Sequence, residues 1–158
     1  MRDDAAHIWK TDFVILHTTC LVRSLKQWTG RDLLKDLSDA GERARKIFEA
    51  PFALVSHGTE EDPILNYGNR AALELWEMSW AELTNTPSRL TAEAPNRVER
   101  ARLLATVTEH GFMDDYSGVR ISKTGRRFRI ERATVWNLLN ESGRSCGQAA
   151  MFDRWSFL

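Results

Sequence analysis

Residues 62–83 constrain the fold of this chain more than any other stretch. Ile64-Leu-Asn-Tyr67 reads as a short strand, Asn69 as the cap of a helix that carries Ala72, Leu73 and Trp76, and Ser79 as the cap of a second helix. Ser79 and Glu82 have the spacing of a capping box. The serine hydroxyl accepts from the backbone N–H of Glu82, and the Glu82 carboxylate accepts from the N–H of Ser79. A strand followed at once by two short helices needs a larger sheet to join and a sheet face to cover.

The rest of the chain supplies both. Residues 4–29 have helical periodicity, with Trp9, Phe13, Leu16 and Cys20 on one stripe and Val14, Leu21, Leu25 and Trp28 on a second. Gly30 is placed to stop that helix. Leu37, Ala40, Ala44, Ile47 and Phe48 mark another, ended by Pro51. Two stripes mean that the first helix buries more than one face, either against its own domain or in a dimer seam of Trp9, Phe13, Leu16, Leu21, Leu25 and Trp28. Residues 52–56 read as a strand and residues 57–63 as a polar turn. A later helix opens at Asn96, with Glu99 at the capping-box spacing, carries Ala101, Leu104 and Val107, and ends at His110 and Gly111.

Three strands follow, over residues 116–122, 126–138 and 144–152, the first two joined through Lys123-Thr-Gly125. Alternation in the middle strand puts Phe128, Ile130, Thr134, Trp136 and Leu138 on one face and Arg127, Arg129 and Glu131 on the other. Two strands alone make no stable sheet. The early pair should therefore join this meander in one antiparallel sheet, with the intervening helices on one face. The class is α+β. Residues 1–50 form an N-terminal helical extension, 51–153 the domain and 154–158 a tail.

Lys plus Arg and Asp plus Glu are both 22 in 158 residues, so no global field draws the chain to nucleic acid or to an anionic membrane. No apolar run reaches the ~20 residues of a membrane span, and the first residues lack a secretory pattern. Cys20 and Cys146 make no disulfide framework and no zinc spacing. The expected setting is the reduced cytoplasm.

Taken in order, Pro51-Phe52, Ser56-His-Gly-Thr59, Asp62-Pro63, Asn66-Tyr-Gly-Asn-Arg-Ala-Ala-Leu73, Pro87-Ser-Arg-Leu90 and Arg100-Ala-Arg-Leu-Leu104 form a pattern. Asp115-Tyr-Ser-Gly-Val-Arg-Ile121, Gly125-Arg-Arg-Phe128, Ala133-Thr-Val-Trp-Asn-Leu138 and Gly147-Gln-Ala-Ala150 complete it. With these residues the chain resembles the MEKHLA family, a branch of PAS-like sensory domains, over nearly its whole length. The literal string that names the family is absent. Where PAS domains carry Asp-Ile-Thr before an output helix, this chain has Asp153-Arg-Trp-Ser156 and then ends. The resemblance implies a PAS-like five-stranded antiparallel sheet with short helices on one face, preceded by the two N-terminal helices. It implies a sensory or regulatory role, without an enzymatic one.

A PAS-like pocket lies between sheet and short helices, so its expected lining is Tyr67, Trp76, Met78, Leu104, Tyr116, Phe128, Arg132, Trp136 and Gln148. By alternation Arg132 falls on the apolar face, where a charge needs a partner: Asp114, Asp115, an anionic ligand, or solvent through a bulge. The cofactor is unknown. Flavin adduct chemistry needs a Cys within Asn-Cys-Arg, whereas this chain has Asn69-Arg70. His110 at a helix C-terminus suits the helix dipole better than haem ligation. Cys146 reads as an ordinary thiol, although a redox role stays open. A His57–Asp62 general-base pair is conceivable, with a turn hydrogen bond as the simpler use of His57. The cationic face with Arg120, Lys123, Arg126, Arg127 and Arg129 suits an acidic neighbour such as Asp32, Asp36 or Asp39 better than nucleic acid. Expected partners are a small organic ligand and a second copy or another protein; the alternative is a ligand-free interaction module whose pocket is filled by its own side chains.

Overall fold

The computed structural model describes residues 7–35 and 39–158. Asp36, Leu37 and the first residues of the expected N-terminal helix lie outside them. A 3-10 turn (Ile8–Lys10) leads into α1 (Asp12–Thr29), where the Thr11 hydroxyl caps the helix by accepting from Val14 N–H. Gly30, at φ 75°, ends it in the left-handed region that glycine adopts without a Cβ clash. The helix α2 (Ala40–Phe48) is capped by Asp39, whose carboxylate accepts from Glu42 N–H. Asp39 is thus engaged away from the cationic hairpin, and Asp32 pairs with Lys26 at 3.2 Å.

The strands β1 (Ala53–His57) and β2 (Leu65–Gly68) form the first antiparallel pair. Then come α3 (Arg70–Trp76), capped by Asn69, and α4 (Trp80–Leu83), capped by the Ser79–Glu82 box in both directions. A 3-10 turn (Ser88–Thr91) precedes α5 (Ala94–His110). That helix starts earlier than its sequence suggests. Pro95 occupies its first turn, where a missing N–H costs nothing. Asn96 is therefore inside the helix, and Glu99 is left free to accept from the Tyr116 hydroxyl at 2.8 Å.

The long strands are β3 (Phe112–Ile121), β4 (Arg127–Leu139) and β5 (Ser145–Phe152). The sheet order is β2-β1-β5-β4-β3, so the early pair joins the meander through β1 and β5. A sixth strand, β6 (Arg154–Phe157), pairs with the first half of β4. Those residues are not a tail. Phe157 packs on Phe128, and the Arg126 guanidinium lies over the Phe157 ring at 4.2 Å.

Helices cover both sheet faces. On one face α1 and α2 bury Val14, Leu21, Leu25 and Ile47 with Leu54, Tyr67, Trp136 and Leu138. On the other, α3 and α5 bury Trp76, Leu103 and Val107 with Tyr116, Phe128, Ile130, Val135 and Phe152. Leu21 and Leu25 are therefore core residues of their own chain, 0% and 3% exposed. Trp9 packs on Phe48, and Trp28 donates its Nε1–H to the Asn137 carbonyl at 2.9 Å. Of the six residues expected at a dimer seam only Phe13 and Leu16 stay exposed, at 53% and 70%.

One irregularity decides how β4 distributes its side chains. Arg132 sits at φ 53°, and β3 has an irregularity of its own on the other side of the Tyr116–Ala133 pair, with Asp115 at φ 57°. The β3–β4 register shifts there, and β4 changes neighbour from β6 to β5. Inserting one residue into a two-residue alternation flips every later side chain. Phe128 and Ile130 face α5 together with Ala133 and Val135, whereas Trp136 and Leu138 face α1. No described helix is long and apolar enough to cross a membrane.

Candidate functional site

A cavity of about 50 Å³ lies between the sheet and α5. Strand alternation supplies its floor. Val55 and His57 come from β1, Tyr116 and Arg120 from β3, Ile130 and Val135 from β4, Gln148, Ala150 and Phe152 from β5. Trp76 from α3 and Arg100, Leu103 and Leu104 from α5 close the other side, with Thr91 at the rim.

Tyr116, Arg120, His57 and Gln148 are each held by a local device. On β3, Tyr116, Gly118 and Arg120 share one face. Gly118 provides the bed for the other two, because a Cβ there would lie 2.3 Å from the Tyr116 hydroxyl and 3.0 Å from Arg120 Nη1. Arg120, 5% exposed, donates through Nη1 to the Val119 carbonyl at 2.8 Å and through Nη2 to the Tyr116 hydroxyl at 3.0 Å. That hydroxyl donates in turn to Glu99. Burial raises the Tyr116 pKa, opposed by the charge of Arg120, so the phenol stays a donor.

Arg100 makes no hydrogen bond or ion pair with any described residue. Burial, and then the positive charge of Arg120, lower its pKa to about 10. It remains a cation at neutral pH. His57 is 8% exposed; its Nδ1 contacts the Gly58 carbonyl at 2.9 Å. A carbonyl only accepts, so Nδ1 carries the proton. Burial lowers the His57 pKa, so Nε2 at the opposite ring edge is an unprotonated acceptor, and it has no hydrogen-bond partner among the described residues. Gln148 Nε2 lies 3.0–3.1 Å from three acceptors, the Leu104 carbonyl, Thr108 Oγ1 and Asn137 Oδ1, which share its two N–H groups. It ties β5 to α5 above the cavity.

Of the expected lining, Trp76, Leu104, Tyr116 and Gln148 meet at this cavity. Phe128 stands edge-on to Trp76 at 5.2 Å without lining the cavity, and Met78, also outside the lining, packs against both the core beneath α3 and α5 and the neighbouring cluster of Leu73 and Leu83. Tyr67 and Trp136 face α1 on the far side of the sheet. Arg132 is exposed, because the bulge turns it to solvent, and Asp114 pairs with Arg31 at 2.7 Å instead. His57 and Asp62 make no pair: Asp62 binds Arg89 at 3.2 Å.

The sequence reading missed His57, Arg100 and Arg120 as lining residues. For His57 and Arg120 a signal existed. Continuing the alternation Ala53, Val55 reaches His57, and Tyr116, Gly118 reaches Arg120. Two other residues lie away from the cavity. Cys20 and Cys146 stand 3.9 Å apart between α1 and β5, and burial with the neighbouring Cys20 pushes the Cys146 thiol up to about 11. His110 is exposed at the end of α5.

The model of the MEKHLA domain matches residues 4–157. The homeobox-leucine zipper protein ATHB-15 of Arabidopsis thaliana is 24% identical over 139 residues, which is 87% of this chain. The match spans 17% of that relative's length. A PAS domain from Colwellia psychrerythraea superposes with a TM-score of 0.59 at 16% identity, covering 74% of this chain and 94% of that one. The light-state dimer of the fungal blue-light photoreceptor Vivid gives a TM-score of 0.55 at 14% identity, covering 82% and 88%. The shared fold is that of PAS domains.

Proposed function

The chain belongs to the MEKHLA domain family, and from that premise we propose that it is a sensory or regulatory module, not an enzyme, whose cavity between sheet and α5 takes up a small organic ligand. The observation that carries this reading is a cavity whose lining includes polar groups without a hydrogen-bond partner among the described residues: the buried acceptor His57 Nε2 and the half-buried guanidinium of Arg100. Buried polar groups are normally satisfied, so an unpaired acceptor in a cavity lining suits a ligand or an ordered water. The volume supports a ligand of few atoms, since sites for drug-sized molecules run to ~300 Å³ or more. Gln148 gives occupancy a route outward. It hydrogen-bonds α5 from the cavity floor, so a ligand that shifts its amide also shifts that helix.

A second reading, an interaction module without a ligand, is favoured by the exposed Phe13 and Leu16 on α1. In a sensor the same pair would serve contact with a second copy or another protein. Native mass spectrometry of protein purified from its own cells, beside a denatured sample, separates the two. A small molecule retained by the native protein and lost on denaturation supports the sensor. Empty spectra from several growth conditions, with a dimer mass that Leu16→Glu abolishes, support the interaction module.

A further inference from the structure

We propose that the cavity selects a small hydroxy-carboxylate monoanion, its carboxylate on the guanidinium of Arg100 beside Arg120 and its hydroxyl donating to His57 Nε2. This rests on the ligand-binding reading above and names the chemical class.

Charge balance comes first. Among the described residues no Asp or Glu lines the cavity, while two arginines do. The one carboxylate brought against them is Glu99, through the Tyr116 hydroxyl. One positive charge is left over. A partly buried cation is costly unless fully compensated, and Arg100, which feels Glu99 only through space, has no hydrogen-bond or ion-pair partner among the described residues. One monoanion balances the site, whereas a dianion would reverse the excess.

Geometry narrows the choice. Arg120 is oriented by Val119 and Tyr116, and the planar fork of Arg100, whose donors no described residue takes up, matches the two oxygens of a carboxylate. The acceptor at His57 Nε2 asks for a hydrogen on the ligand. An ammonium would bring a third cation beside the two arginines, so a hydroxyl is the donor that fits. Space sets the size. A volume of about 50 Å³ holds about four water molecules, hence an acid of about four to six non-hydrogen atoms.

The test uses the full chain, stripped of any retained molecule, in calorimetric and thermal-unfolding titrations with glycolate and lactate. The comparison probes are propionate, lactamide, malonate and inorganic phosphate. Glycolate or lactate should bind saturably, with lactamide at least tenfold weaker and propionate intermediate. Arg100→Gln should weaken binding by roughly 30-fold or more, and Arg100→Lys, which keeps the charge and loses the fork, by less. Both variants should unfold cooperatively. Tighter binding of malonate or phosphate would overturn the charge argument. Equal binding of lactamide, or binding indifferent to Arg100→Gln, would overturn the anion and leave the ligand reading standing. No binding by any probe, together with empty native spectra, would remove both.

Discussion

Acid should weaken this fold well before its carboxylates titrate, and His17 is the main cause. α1 places the His17 ring between Phe13, stacked at 5.3 Å, and Tyr67 at 5.7 Å. Its Nε2 lies 2.8 Å from Ser56 Oγ, and that hydroxyl donates to Asn66 Oδ1 at 2.6 Å. The serine therefore accepts from His17, and the second ring nitrogen faces no described hydrogen-bond partner. Burial lowers the His17 pKa from 6.5 to about 4. In that interval the unfolded chain binds a proton that the folded protein refuses, so stability falls as pH drops from 6.5 toward 4. At ~1.4 kcal/mol per pH unit the full effect is about 3 kcal/mol, of which about 2 kcal/mol is lost between pH 7 and pH 5. His57, also lowered by burial, adds in the same direction. Glu42, Glu77, Glu82 and Glu93 have pKa values depressed by their hydrogen-bonded partners. Their contribution is present above about pH 4.5 and lost below it, outside this window. Urea unfolding of the parent chain and of His17→Gln at both pH values should show the variant losing about 2 kcal/mol less on acidification. Equal losses would refute the reasoning.

Three further outcomes follow from the packing. Asn69 is fully buried, accepting from Leu54 N–H and Ala72 N–H and donating to the carbonyls of Ile47 and Phe52; Asn69→Ala should cost about 4 kcal/mol in chemical unfolding, and a cost below that of an ordinary helix cap, ~1 kcal/mol, would deny its central role. Gly118→Ala should destabilise by about 1–3 kcal/mol and displace Tyr116 and Arg120, so a variant that keeps both full stability and the parent's native-spectrum ligand occupancy would contradict the proposed bed. Arg132→Gly should raise stability by about 1 kcal/mol, because the left-handed backbone there strains an L side chain; a loss of that size would show the Arg132 side chain to be structural.

The local elements were legible because short-range chemistry decides them. Asn69, Ser79 with Glu82, Gly30 and Gly125 act within a turn of their own positions. Alternation over residues 126–130 is likewise a property of the strand alone. Element order and residue pattern together reached the α+β class, the joined sheet and the family. The site was half legible: Trp76, Leu104, Tyr116 and Gln148 reach the cavity by simple counting from their elements, and His57 and Arg120 would have followed from carrying two alternations further.

What counting could not supply is where the count slips. The Arg132 bulge exists because β4 must leave β6 for β5, and those neighbours lie far away in sequence. That slip sent Trp136 and Arg132 away from the pocket. Likewise, the apolar stripes of α1 say that it buries two faces, but only the sheet beside it makes Leu21 and Leu25 core and leaves Phe13 and Leu16 outside. By itself, then, the sequence determined the main helices, the first five strands and their order, since caps, turns and periodicity are local, while β6 needed β4 beside it. The tertiary structure alone decided that two arginines and a histidine, from three separate elements, share one small cavity, because cross-strand register and helix docking set which distant residues meet.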